Sequence, residues 1–267
     1  MEQAGDFLAE TEALAGLLAP LPDAAFGEAT QFKGWTVDDV LRHLHFWNLA
    51  AGLQLSDEAE LMRRIEGATN GVGGMRAFEK ETLGGISGQE LRAEWLAAAR
   101  DVARQFAKAD PKQRLKWAGP DMSARSSITA RLMETWAHGQ EVYDHLGVER
   151  VDHDRIRNIA HLGVSTFGWT YAVRKLPVPA AMPHVRLIAP SGALWTWSQT
   201  GGEPDEANLV AGSASEFCQV VTQVRNVADT KLNVRGAVAR EWMGMAQCFA
   251  GKAEPPPAPG TRFRRQL

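Results

Sequence analysis

The feature that most constrains this chain is a change of period. Through residue 176 the apolar side chains recur at helical spacing; beyond Pro177 and Pro179 they alternate as in strands. Phe7, Leu8, Leu14, Leu17 and Leu18 mark a first helix that Pro20 and Pro22 end. Thr36 followed by Asp39 predicts a capping box, with Asp38 and Asp39 suited to the positive end of a helix dipole, so a second helix is expected from about Val37 to Leu55. A shorter helix follows, broken by Gly67, Gly71, Gly73 and Gly74. Ser87 with Glu90 predicts another capping box, opening a helix with Leu91, Trp95, Ala99, Val102 and Phe106 on one side. Trp117 to Met122 reads as loop. A fourth long helix is expected over Ser126 to Leu146, ended by Gly147, and a fifth from about Asp154 to Leu176. Residues 185–189 and 193–197 flank Pro190-Ser191-Gly192 as a hairpin, Ala207 to Ala211 reads as a third strand, and helix returns near 213–227 and 238–249. The fold class is therefore α+β: a helical bundle over 1–150, a connecting helix over 151–176, and a smaller α+β domain over 177–267. Pro255, Pro256, Pro257 and Pro259 predict a loosely ordered tail.

Composition narrows the functional classes. Hydrophobic residues make up 45% of the 267, enough apolar surface to offset chain entropy, so disorder is not the default. A net charge of -3 gives no footprint for nucleic acid or an anionic membrane. No apolar run is long enough to span a bilayer. The N-terminus carries acids where a signal peptide needs positive charge, so a cytoplasmic location is expected. Cys218 and Cys248 are too few for a disulfide scaffold and fall inside predicted helices, where they read as buried and inert. Nine tryptophans are a high count that fits either core or an interface, and a bundle face could pair to form a homodimer.

One pattern can carry chemistry. Glu134 and His138 are four residues apart, so their side chains leave one helix face about 6 Å apart. That spacing lets a carboxylate and an imidazole grip one metal ion. His43 sits on the second helix, and His45, two residues on, faces the other way. Two His and one Glu make a three-ligand set, which leaves zinc one position for water or substrate. A plainer reading stands beside it. Arg131, Glu141 and His145 extend the polar stripe around Glu134, and Ile128, Leu132, Trp136 and Tyr143 form an apolar stripe roughly opposite, as on a helix with one solvated face.

The string Gly34-Trp35-Thr36-Val37-Asp38-Asp39-Val40-Leu41-Arg42-His43-Leu44 resembles the first metal motif of the DinB-like superfamily, in its mycothiol-dependent maleylpyruvate isomerase branch. The string from Ala130 to Gly147, with Glu134, three residues, His138, then Gly139 and Glu141, resembles the second. The resemblance implies a DinB-like four-helix bundle with His43, Glu134 and His138 as metal ligands, followed by a sterol-carrier-like α+β domain. It implies a divalent metal, zinc first and nickel as an alternative, near a low-molecular-weight thiol such as mycothiol. The expected function is transferase or isomerase chemistry on a small anionic substrate. A non-catalytic metal or small-ligand binding protein is the alternative. Arg131, one turn from Glu134, is the expected catalytic cation in the bundle, with a plain salt-bridge role toward Glu134 or Glu141 as the alternative. The family ties a second-domain arginine to catalysis, for which Arg225 is the candidate. Trp35 and Trp117, at helix-entry and loop positions, are expected to wall the cofactor pocket.

Overall fold

The computed structural model describes residues 1–198 and 205–266, which divide into two compact units, the first ending at His145 and the second beginning at Leu146. The first unit contains α1 (Glu2–Leu18), α2 (Asp23–Phe26), α3 (Val37–Ser56), α4 (Glu58–Asn70), α5 (Met75–Thr82), α6 (Gly88–Lys108), a two-stranded ribbon of β1 (Arg114–Leu115) and β2 (Met122–Ser123), and α7 (Ala124–His145). Helices α1, α3, α6 and α7 form a four-helix bundle in which α3 and α1 each pack against both α6 and α7. Phe7, Leu14, Leu41, Leu44, Trp95, Phe106, Leu132 and Trp136 are fully buried in it. Among the described residues no helix is long and apolar enough to cross a membrane.

Local chemistry sets the ends of these helices. The Thr36 capping box forms: the Asp39 amide donates to the Thr36 hydroxyl at 3.1 Å, and the Thr36 amide donates to Asp39 Oδ2 at 3.1 Å. The second expected box does not form. Ser87 is the N-cap of α6 but its side chain caps nothing. Two aspartates from other elements take its place: Asp38 accepts the Gly88 amide at 2.8 Å and Asp23 accepts the Gln89 amide at 2.9 Å. Gly88 has a φ of 61°, the left-handed region, and an added Cβ there would meet Asp23, so the tertiary cap requires glycine.

The second unit contains α8 (Arg157–Ser165), α9 (Phe167–Ala172), β3 (His184–Ile188), β4 (Leu194–Trp197), β5 (Leu209–Ser213), α10 (Ala214–Val221), β6 (Asn233–Arg235) and α11 (Ala237–Met243). Its sheet runs β4-β3-β5-β6, with the central β3–β5 pair parallel and both outer pairs antiparallel. The hairpin about Pro190 forms as expected, while β6 had no sequence signal. The single helix expected over 154–176 is instead a short turn plus α8 and α9. Thr166 sits at the break, its hydroxyl donating to Leu162 O at 2.7 Å and Gly163 O at 3.1 Å, so the side chain competes for carbonyls of the turn before it. Both helices fall within the second compact unit. Gly163 allows close approach of α10, since an added Cβ would lie 2.8 Å from Val221 Cγ2. Cys218 and Cys248 are both buried. The Pro-rich tail is not loose. It is tied down by Asn226 Nδ2 to Pro257 O at 2.8 Å, by the Gly260 amide to Asp229 at 2.9 Å, and by Arg262 to Gln223 O at 2.9 Å.

Candidate metal centre

Helices α3 and α7 bring His43, Glu134 and His138 together, with one ligand atom of each within 4.8 Å of the others. Glu134 Oε2 lies 3.5 Å from His138 Nε2 and 3.8 Å from His43 Nε2. Bond lengths near 2.1 Å put neighbouring ligands of a tetrahedral zinc about 3.4 Å apart, so the donor set fits a divalent ion with small adjustments. Both imidazoles are buried, and their rings stand 5.0 Å apart at 68°.

Each imidazole turns its other nitrogen to a carboxylate. His43 Nδ1 lies 2.8 Å from Glu79 Oε1, and His138 Nδ1 lies 3.2 Å from Glu141 Oε2. Carboxylate partners of this kind fix ring orientation and raise the basicity of the outward nitrogen. They also shape the charge states of the metal-free chain. Burial disfavours a charge on His138, but Glu141 and Glu134 outweigh it and push the ring up to about 10. Burial likewise opposes charge on His43, and Glu79 and Glu134 overcome it to raise the ring above its ordinary value. Burial would raise the Glu134 carboxyl, yet His138, His43 and Arg131 hold it well below the usual range.

Aromatic rings enclose the cluster. Trp35 stacks on His138 with centroids 5.7 Å apart and planes 5° apart, and meets His43 edge-on at 5.4 Å. Phe32 meets His138 edge-on at 5.2 Å. Trp117 is one ring further out, edge-on to Trp47 at 5.4 Å, and Trp47 is edge-on to His43 at 6.2 Å. Arg131 is 4% exposed, stands over Trp117 at 5.8 Å, and leaves Nε and Nη1 buried without a hydrogen-bond partner. Burial lowers its pKa, opposed by the charges of Glu134 and Glu79. The structure thus gathers His43, Glu134, His138, Trp35, Arg131 and Trp117 in one region of the first unit. Arg225 belongs to the second unit, where it follows α10 and donates to Val224 O at 3.2 Å. His45 is buried away from the cluster; burial and Arg64 lower its ring to about 4.

The polar stripe of α7 is not a solvated face. Arg131, Glu141 and His145 are all less than 7% exposed, because α7 is covered on its polar side as well as its apolar one. Glu79 escaped the sequence reading altogether. It lies on α5, a short helix after the glycine-rich segment, and only its burial and its two partners mark it.

Comparison with known proteins agrees with this architecture. Residues 7–143 match the family model described as the mycothiol maleylpyruvate isomerase N-terminal domain. The chain belongs to that family, a branch of the DinB-like superfamily. Among its relatives is an uncharacterized protein of Mycobacterium tuberculosis (strain CDC 1551 / Oshkosh), 37% identical over 92% of this chain and 94% of the relative. A protein of a second strain of that organism matches to the same extent. The crystal structure of the mycothiol-dependent maleylpyruvate isomerase superposes with a TM-score of 0.50 at 15% identity, covering 82% of this chain and 87% of that one. A histidine-to-alanine mutant of that enzyme gives the same values. At this identity the superposition speaks for the fold alone.

Proposed function

We propose that the chain is a metal-dependent enzyme using a low-molecular-weight thiol, of transferase or isomerase type, on a small anionic substrate in the cytoplasm. The observation that carries this reading is the convergence of His43, Glu134 and His138, each imidazole backed by its own carboxylate. Family membership supports the thiol and the reaction type, and points to mycothiol. His43, Glu134 and His138 would hold the ion, and two imidazoles with one carboxylate suit zinc first, with nickel, iron, manganese or cobalt also compatible. The ion would supply Lewis acidity that keeps a thiol or water in its anionic form at neutral pH.

The remaining residues bind, orient and exclude water. Trp35 and Phe32 shield the imidazoles and hold their planes. Arg131 offers a buried cation, with donors that no protein group satisfies, to an anionic substrate held beside Trp117. The role assigned to Arg225 rests on the resemblance alone; an Arg225→Ala protein that turns over normally would remove it.

The test is elemental analysis of protein purified without a chelating tag, beside His138→Ala, followed by thiol conjugation of an anionic electrophile with mycothiol as donor. One equivalent of metal in the parent, little in the variant, and thiol-dependent turnover are expected. Metal without turnover would identify a binding protein instead, and no metal after zinc is added back would sink the reading.

A further inference from the structure

We infer that α5 is a strap on the metal centre, and that Glu79, which it carries, is the positioning residue that presents His43 to the ion. The inference rests on the metal reading above, and adds a residue and an element that neither motif contains.

One oxygen, Glu79 Oε1, meets both His43 Nδ1 at 2.8 Å and Trp47 Nε1 at 2.9 Å. An indole nitrogen can only donate, so this oxygen accepts from Trp47. A carboxylate oxygen accepts from His43 as well, which places the neutral ring's proton on Nδ1 and its lone pair on Nε2. Nε2 is the nitrogen that faces Glu134. Glu79 therefore selects the tautomer that can ligate and holds the ring plane toward α7. Glu141 does the same for His138, but from the same helix, three residues away. Glu79 arrives from 36 residues further along the chain, so its placement depends on how α5 docks.

Four contacts dock it. Glu79 is 1% exposed. Phe78 meets Phe46 edge-on at 5.9 Å, within the apolar cluster of Trp47, Leu61 and Ile65. Arg76 pairs with Asp39, the acid of the α3 capping box, and stands over Trp35 at 5.3 Å. Gly67 on α4 leaves the space the Phe78 ring fills: an added Cβ would lie 2.1 Å from Phe78 Cζ. Gly73 and Gly74, with φ of 85° and 80°, turn the chain between the two helices. The glycine-rich segment thus serves to lay α5 across the ligand helix. Along one short element, Arg76, Phe78 and Glu79 touch the cap of α3, its apolar neighbours and its metal ligand.

The experiment measures zinc affinity by competition with a chromogenic chelator, using the full chain and the variants Glu79→Ala, Glu79→Gln and Glu79→Asp. Metal-free melting is followed in parallel. Glu79→Ala should bind zinc about 10- to 100-fold more weakly, the usual cost of losing an outer partner of a ligating histidine. Glu79→Gln should recover most of that loss, because an uncharged amide oxygen still accepts from both rings. Glu79→Asp keeps the charge but is one methylene short of both donors, and should weaken binding although it folds. Recovery by Gln but not Asp is a pattern that a purely structural residue would not produce. Parental zinc affinity in a folded Glu79→Ala protein, or in Glu79→Asp if the alanine variant does not fold, overturns the inference while leaving the metal reading intact. A parent that binds no zinc overturns both.

Discussion

Loading the centre with metal should compete with protons far above the pH where imidazoles usually stop mattering. In the metal-free chain His138 is pushed up to about 10, burial being outweighed by Glu141 and Glu134, and His43 is raised above 6.5 by Glu79 and Glu134. A metal at Nε2 of either ring must displace that proton. At pH 7 the His138 proton alone is held about three pH units below its release point, which weakens apparent metal affinity about a thousandfold, or about 4 kcal/mol. The logarithm of the zinc association constant should therefore climb by about one for each pH unit from about pH 6 to 8.5 as the His138 proton is displaced, and the raised His43 should steepen the acid end of that range. Chelator competition at each pH, corrected for the chelator's own protonation, reads that slope. A constant that levels off near pH 7 would refute the reasoning, since ordinary imidazoles would then be sufficient. Linkage gives the sign for the metal-free protein. A histidine whose folded value lies above its unfolded 6.5 stabilises fully below 6.5 and loses that contribution as pH rises through about 10. Metal-free protein should accordingly melt at a lower temperature at pH 9 than at pH 6.5, while metal-loaded protein moves the other way. On the acid side the depressed Glu134 carboxyl adds stability above its unfolded 4.5 that is lost as pH falls toward its folded value.

Other outcomes follow from the same geometry. Glu134→Ala should lose bound metal yet keep the helical circular dichroism of the bundle; loss of fold would mark the centre as structural. Arg131→Met keeps the apolar stem over Trp117 and removes a buried cation with unsatisfied donors, so denaturant unfolding should show equal or greater stability while the KM for an anionic substrate rises about tenfold or more. Trp95→Ala, at a fully buried position of α6, should cost about 3–5 kcal/mol in a urea titration. Gly163→Ala should cost about 1–3 kcal/mol, because the new Cβ meets Val221 across the α8–α10 contact.

The helices of the bundle were legible because each satisfied two independent signals at once. For α3, a capping box and an apolar stripe agree on the same start, and the structure begins it at Val37. For α6 the same kind of signal misled in detail: Ser87 and Glu90 mark the right position, but Asp38 and Asp23 do the capping, and nothing local to Ser87 encodes partners 49 or more residues back. The break at Thr166 was hidden for a different reason, since a hydroxyl that bonds back to Leu162 looks in sequence like any helical threonine.

The centre itself inverts the usual meaning of polarity. Periodicity assigns Arg131, Glu141 and His145 to water because charged groups are seldom buried without partners. For Glu141 and His145 burial is offset in pairs, as it is for His43 on α3: Glu141 holds His138, Glu28 lies 3.2 Å from His145, and Glu79 holds His43, while Arg131 keeps two donors unmet. A polar stripe on a helix is thus ambiguous until its partners are known, and two of these three come from elsewhere in the chain. Motif resemblance singles out His43, Glu134 and His138 as candidate ligands because it reads residue identities that periodicity leaves open. It could not reach Glu79, which lies outside both motifs and meets His43 only once α5 has folded back over α3. The proposed ligands are therefore readable from two short strings, whereas the carboxylate that meets His43 becomes readable only from tertiary structure. That difference is why substitutions at His43 and at Glu79 should separate, the first abolishing metal binding and the second weakening it by degrees.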